Sequence, residues 1–286
     1  MASIHDAALK CDVEGLRRCL PHCLTQGGQM LYKFYACPVD ARTSSLSGGH
    51  TALHILCGAT SVHAAMYVQT GERNAETVEA CFHLLREAGA DLSARDNAGR
   101  TPLHHVAECS GARMIPEVHT NWHRGCLQLA LLLLRHGADV NATEGRRHNS
   151  PLHEAVFCPA MTALLVKAGA DVNLPNRDGL TPLYTAVLYG ARWRDERVRG
   201  TVPILLRAGA AIIGDVSDHF TWDPADYDFS RGTGLYFQKV VDAGGWKKFE
   251  QAHLAKLTKT FAPKFPVLPP EMVRHIFTFG FHAGFY

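Results

Sequence analysis

Two short strings alternate along this 286-residue chain, and any fold it adopts must use them several times over. One is Thr/Ser-Pro/Ala-Leu-His/Tyr: TALHIL from Thr51, TPLHHVA from Thr101, SPLHEAV from Ser150 and TPLYTAV from Thr181. The other is Gly-Ala-Asp, at Gly89, Gly137 and Gly169, fading to Gly-Ala-Ala at Gly209. Such self-similarity means one structural unit repeated, each copy burying its apolar face against its neighbours.

Residue chemistry assigns each string a task. A Thr or Ser hydroxyl can satisfy an open backbone N–H at a helix start, and Pro at the first helical position lacks only an N–H that would have no intrahelical partner. The first string therefore opens a helix. Each glycine of the second string follows an apolar stretch, CFHLLREA, ALLLLRH, ALLVKA or PILLRA, carrying Arg, His or Lys near its end. Glycine there supplies the left-handed residue that stops a helix, and the cations sit near its negative end. Asn97-Ala-Gly-Arg and Asn176-Arg-Asp-Gly-Leu are turn sequences, because Asn, Asp and Gly tolerate positive φ. Each unit reads as helix, loop, helix, hairpin-like turn.

Spacing separates the constant part of the unit from the variable part. From each Gly-Ala-Asp glycine to the next Thr or Ser is 12 (89 to 101), 13 (137 to 150) and 12 (169 to 181) residues. From Thr or Ser to the following glycine is 38 (51 to 89), 36 (101 to 137), 19 (150 to 169) and 28 (181 to 209). The turn is fixed, and extra chain enters between paired helices near Ala59, Cys109 and Gly190. Surface loops are where a stack tolerates insertions, so Trp122, with Met114 and Ile115, and Trp193, with Arg192 and Arg194, are expected on loops.

Both strings match the ankyrin consensus, T-P-L-H-x-A opening the first helix and L-L-x-x-G-A-D closing the second, and residues 1–212 resemble that family. The resemblance implies an all-α ankyrin-repeat solenoid: a cap over residues 1–20, with HDAALKCDVEGLRRCL as a truncated helix pair, and repeats starting near 51, 101, 150 and 181. It assigns His54, His104 and His153 to hydrogen bonds between neighbouring turns. The repeat domain is expected to end near 217, followed by a helical segment over 218–286. In that segment Trp246, Phe249, His253, Leu254, Leu257 and Phe261 share one helix face. FPVLPPEMVRHIF resembles the entry of an F-box-like helix, which makes Leu268, Pro269, Glu271, Ile276 and Phe277 candidate ligase-docking residues. A helix folding back to cap the last repeat is the plainer alternative.

The resemblance further implies a non-enzymatic protein-interaction scaffold, monomeric, with a ubiquitin-ligase substrate adaptor as the alternative and a metal-dependent enzyme as a more remote one. Ankyrin proteins bind through turn tips; the matching positions are Arg95, Asn97, Arg100, Glu144, Arg146, Arg147, His148, Asn176, Arg177, Asp178 and Leu180. If the turns align, the arginines form a basic strip suited to an acidic protein surface. Trp122 and Trp193 add residue types enriched at interface hot spots. Asn141 and Asn173, in GADVN, stand where some ankyrin proteins are hydroxylated.

Other chemistries find little support. A formal charge of +2, from 29 Lys+Arg against 27 Asp+Glu, gives no bulk field for nucleic acid or anionic membrane. The N-terminus lacks a signal peptide's pattern and no window spans a bilayer, which places the chain inside the cell, cytoplasmic or nuclear. Nine cysteines without a CxxC pair suit reduced thiols. His119 and His123 have i, i+4 metal-ligand spacing, yet no Cys or carboxylate pair nearby completes a zinc site. No nucleophile elbow, dinucleotide fingerprint or P-loop occurs. No catalytic residue, metal or cofactor is expected.

Overall fold

The computed structural model describes residues 4–20, 40, 42–43, 48–58, 75–110, 116–193, 198, 200–212, 232–264 and 268–274. These fall into two compact units, Met1–Leu180 and Thr181–Tyr286. The boundary expected near 217 lies outside the described residues.

The first unit consists of helix pairs: α1 (Ile4–Lys10) with α2 (Val13–Cys19), α3 (Ala52–Leu56) with α4 (Ala75–Glu87), α5 (Pro102–Ser110) with α6 (Pro116–Arg135), and α7 (Pro151–Glu154) with α8 (Pro159–Lys167). First helices pack on first helices, α1 on α3 on α5 on α7, and second helices do the same, α2 on α4 on α6 on α8. Two rows result. Their shared core is built from residues such as Leu53, Leu56, Phe82, Leu85, Leu103, Leu133, Leu152, Met161 and Leu165, all fully buried.

The local signals act as their chemistry dictates. His54 N–H donates to the Thr51 hydroxyl, capping α3. After α4, α6 and α8 come Gly89, Gly137 and Gly169 at φ of 91°, 90° and 92°. Just beyond each, Ala90, Ala138 and Ala170 donate back to the carbonyls of Leu85, Leu133 and Leu165, which closes the helix in the Schellman manner. Cys57, Cys81, Cys126 and Cys158 are packed into this core as small apolar residues.

One expectation needs correction here. The material around Trp122 is not a loop: α6 runs unbroken from Pro116 to Arg135, so His119, Trp122 and His123 lie on a 20-residue helix. Pro116 followed by Glu117 is a helix start that the insertion's irregular composition concealed. Trp193 is likewise helical, the last residue of α9 (Pro182–Trp193) in the second unit.

In that second unit α9 pairs with α10 (Thr201–Arg207), and α11 (Gly232–Asp242) packs on α9 and against α12 (Trp246–Phe261). Gly244 and Gly245, at φ of 76° and 108°, turn the chain between α11 and α12. Tyr184 meets Phe237 edge-on at 5.9 Å, and the Arg207 guanidinium lies over the Trp246 ring at 5.6 Å. On α12 Trp246 and Leu254 are buried while Lys247, Lys248, Lys256 and Lys259 are exposed, so the apolar face is the packed one. Leu268 is half-buried, Pro269 and Glu271 are exposed, and Val273 is buried beside the exposed Met272; Ile276 and Phe277 lie outside the described residues. Among the described residues no helix is long and apolar enough to cross a membrane.

Candidate functional site

Binding surfaces on a stack of this kind are presented by its turns, so the question is what fixes each turn and what each leaves exposed. Three buried imidazoles fix them from below. His54, His104 and His153 each accept, at Nδ1, the backbone N–H of the residue opening their helix: Thr51 at 3.2 Å, Thr101 at 3.1 Å and Ser150 at 3.1 Å. The proton therefore sits on Nε2, which donates to the carbonyl just before the next unit: Arg100 at 3.0 Å, Asn149 at 3.1 Å and Leu180 at 2.9 Å. Each unit is thereby hydrogen-bonded to the following turn.

These histidines are neutral and structural. Burial, joined by repulsion from His105, pushes His54 down to about 4, and burial pushes His104 down to about 4. Burial also lowers His153.

Above the imidazoles, the turns share one plan with different residues. At the entry, Asp96 Oδ1 accepts the amides of Ala98 and Arg100 at 2.8 and 2.9 Å. In the next turn Glu144 Oε2 accepts the Arg146 amide at 2.8 Å, and Oε1 accepts those of Arg147 and Asn149. In the last, Asn176 Oδ1 accepts from Asp178 and Leu180 at 3.0 and 2.9 Å, while its Nδ2 donates to Asn149 Oδ1 at 2.9 Å. Turn also bonds to turn: Gly145 N–H donates to the Ala98 carbonyl at 2.8 Å and Arg177 N–H to the Arg147 carbonyl at 2.7 Å. Gly99, at φ 78°, must remain glycine, because a Cβ there would lie 2.6 Å from the Gly145 nitrogen.

The sequence-derived tip residues separate on this frame. Arg146, Arg147, His148, Arg177 and Asp178 are exposed, and the three arginines make no ion pair among the described residues. Arg95 is exposed but tied down, its Nη1 donating to the carbonyls of Gly99 and Thr143 at 2.8 and 2.6 Å. Asn97 is exposed, with its amide bonded to the Gly48 carbonyl at 3.0 Å. Arg100 is drawn aside into a 2.6 Å pair with Glu108. Glu144 departs from the expectation of a displayed residue: it is buried, because its carboxylate closes its own turn, and those amides hold its pKa below the usual range against the opposing effect of burial. Asn176 and Leu180 are half-buried and likewise serve their turn. Asn141 Oδ1 accepts the Asp171 amide at 2.8 Å, whereas Asn173 is exposed. The side chains of Trp122 and Trp193 lie outside the described residues.

A cluster the spacing arguments missed lies at the first of these turns. Asp96 Oδ2 receives His105 Nε2 at 2.9 Å and His50 Nε2 at 3.5 Å, and all three side chains are largely buried. Burial alone would raise Asp96, but hydrogen bonds from His105, His50 and the Arg100 amide outweigh it and hold the carboxyl well below its usual range. Burial lowers His105 despite its bond to Asp96. The only sequence signals were a doubled His in TPLHH and a His immediately before Thr51; neither reveals that the two meet over one carboxylate.

Comparison with known proteins decides the family of the repeats, because the ankyrin repeat model matches residues 98–144 and 147–177. These two stretches are ankyrin repeats. Among relatives, the Neurogenic locus Notch protein of Drosophila melanogaster is 34% identical over 152 residues, 46% of this chain and 6% of its own length. The B-cell lymphoma 3 protein homolog of Mus musculus is 28% identical over 167 residues, 57% of this chain and 29% of the relative. Ankyrin repeat and SOCS box protein 16 of Homo sapiens is 32% identical over 218 residues, 60% of this chain and 45% of the relative. The chain thus spans less than half the length of these relatives. The ankyrin histidines and glycine stops described above are shared by the described full repeats of the first unit, whereas the adjacent exposed pair Arg146 and Arg147 and the His–Asp–His cluster each belong to one described turn.

Proposed function

We propose that this chain is a protein-interaction scaffold whose first unit holds an acidic protein surface against the turns carrying Arg146, Arg147 and Arg177. The observation that supports this most directly is the Glu144 turn, in which a buried carboxylate takes the backbone amides of Arg146 and Arg147 while leaving both guanidinium groups exposed. A fixed backbone under exposed cations is pre-ordered for a partner, so less freedom is lost on binding. Arginine offers a planar set of donors that matches carboxylates in pairs. Arg177, whose amide bonds to the Arg147 carbonyl, adds a third cation from the adjoining turn. Ankyrin relatives such as the NF-kappa-B inhibitor cactus of Drosophila melanogaster bear names that describe action on another protein, which agrees with this reading.

The test is affinity capture with the wild-type chain and the double charge reversal Arg146→Glu, Arg147→Glu. The proposal expects the captured partners to be lost in the double variant and to be released from wild type as salt rises. An unchanged set of partners would remove the basic tips from the account.

A ubiquitin-ligase adaptor is a second reading. It is favoured by the exposed Met272, Pro269 and Glu271 beside the buried Val273 at the Leu268 segment. Deleting residues 264–286 should then abolish recovery of a ligase while sparing the partners bound by the repeats. Unfolding of the α11 and α12 pair on deletion would instead identify the segment as a packing element.

A further inference from the structure

The cluster around Asp96 has the composition and geometry of a cation site. Three donor atoms of types that bind transition metals, His50 Nε2, His105 Nε2 and Asp96 Oδ2, all lie within 4.8 Å of one another. They arrive from three separate places: the residue before the first repeat helix, a turn, and helix α5. Asp96 Oδ1 is already committed to the Ala98 and Arg100 amides, which fixes the carboxylate and directs Oδ2 at the two imidazoles. Amide bonds to a ligating carboxylate are the supporting shell that well-defined metal sites possess.

We propose that His50, Asp96 and His105 bind a divalent cation of the zinc class, with water in the fourth position. Two imidazole nitrogens and one carboxylate oxygen are a donor set that such cations accept in three-residue sites, with metal–ligand bonds of about 2.0–2.2 Å. Tetrahedral bonds of that length place neighbouring donors roughly 3.3–3.6 Å apart. The His50–Asp96 separation, 3.5 Å, already has this value, and the His105–Asp96 separation, 2.9 Å, needs only a small opening. Two imidazoles among three donors favour the zinc class over calcium and magnesium, which take oxygen ligands. Entry is from the His50 side, whose side chain is 15% exposed against 5% for His105 and 4% for Asp96.

The neighbouring turns cannot bind in this way, which makes the site particular to one turn. At the position of Asp96 the following turn has Glu144, whose two oxygens are both taken by backbone amides. The turn after that has Asn176, whose side chain carries no charge. At the position of His105 the next unit has Glu154, which donates nothing to the Glu144 carboxylate and instead accepts from Asn149 at 3.0 Å. A bound cation would join the segment before Thr51 to the α5 repeat, so it would stabilise the stack at its first full interface.

The full-length chain, stripped with chelator, is titrated with Zn²⁺ by calorimetry and with Co²⁺ by visible absorption, which reports tetrahedral nitrogen and oxygen coordination. One equivalent should bind, with the melting temperature rising as the site fills. His50→Gln, at the rim and least prone to disturb folding, and His105→Gln should each weaken binding by about 100-fold or more, since even supporting residues are worth about 10 to 100-fold. His148→Gln, at an exposed turn, should leave it unchanged. Circular dichroism of each variant separates a lost ligand from a lost fold. Absence of stoichiometric binding in the wild-type chain would overturn the proposal, as would binding of equal strength in folded His50→Gln and His105→Gln.

Discussion

The Asp96 turn and the Glu144 turn occupy equivalent places in successive repeats and use an acidic side chain at the same position, yet they face opposite ways. Asp96 spends one oxygen on its turn and directs the other inward to two histidines. Glu144, one methylene longer, reaches back far enough for both oxygens to be taken by amides of its own turn, and the arginines that supply two of them are left outside. The extra methylene and the one-residue longer turn, together with Glu154 where the preceding repeat has His105, accompany the change from an inward polar cluster to an outward basic tip. What repeats in this protein is the frame, and what differs from turn to turn is how the spare polar groups are disposed.

The largest effect should come from removing the two carboxylates in turn. Asp96→Ala strands two buried imidazoles and two turn amides, and should cost about 3 kcal/mol in urea unfolding. Glu144→Ala opens amides that water can reach, and about 1–2 kcal/mol is expected. Equal losses would break the distinction between an inward and an outward turn.

Acid should act on the inward features first. Burial holds His54 and His104 at about 4 against an ordinary value of 6.5, and lowers His153 as well. A proton then binds the unfolded chain more readily than the folded one, so the stability these groups preserve is complete above about pH 6.5 and declines as pH falls toward 4. Unfolding followed in chelator from pH 8 to 4 should show this decline, whereas a flat profile above pH 4.5 would mean that the imidazoles are not neutral and buried as described. Glu144, held low by its amides, stabilises the fold over most of that range and should add to the decline only at its acid end.

The smallest effect concerns the extra residue of the Glu144 turn. His148 takes φ 57°, where the other two turns have Gly99 and Gly179 at 78° and 77°. A non-glycine residue there costs roughly 1–2 kcal/mol, partly offset because glycine loses more freedom on folding. His148→Gly should therefore stabilise by under about 1 kcal/mol, read as a small rise in melting temperature. A clear fall would mean the exposed imidazole contributes to the turn.

What was legible in the sequence is what local chemistry decides. Thr51 and Ser150 open helices, Gly89, Gly137 and Gly169 end them, and the fourth-position histidines link units, because each depends on partners a few residues away or on the repeat itself. Two things escaped. Residues 116–123 were expected in a loop because they interrupt the period, although a helix may lengthen into an insertion without disturbing its packed end, as α6 does. The His50–Asp96–His105 meeting escaped because it depends on how one repeat stacks on the next, His50 and Asp96 being 46 positions apart in the chain. The burial of Glu144 escaped for a related reason: a charge in a turn reads as displayed until the amides that enclose it are located.

The most direct test of the contrast is the unfolding midpoint of the Arg146→Glu, Arg147→Glu chain, measured on the same preparation used for partner capture. If the Glu144 turn is a rigid platform with its cations facing outward, the unfolding free energy obtained from that midpoint stays within about 0.5 kcal/mol of wild type, the range for surface substitutions, while capture is lost. A large fall in stability, or full capture at unchanged stability, would contradict the account.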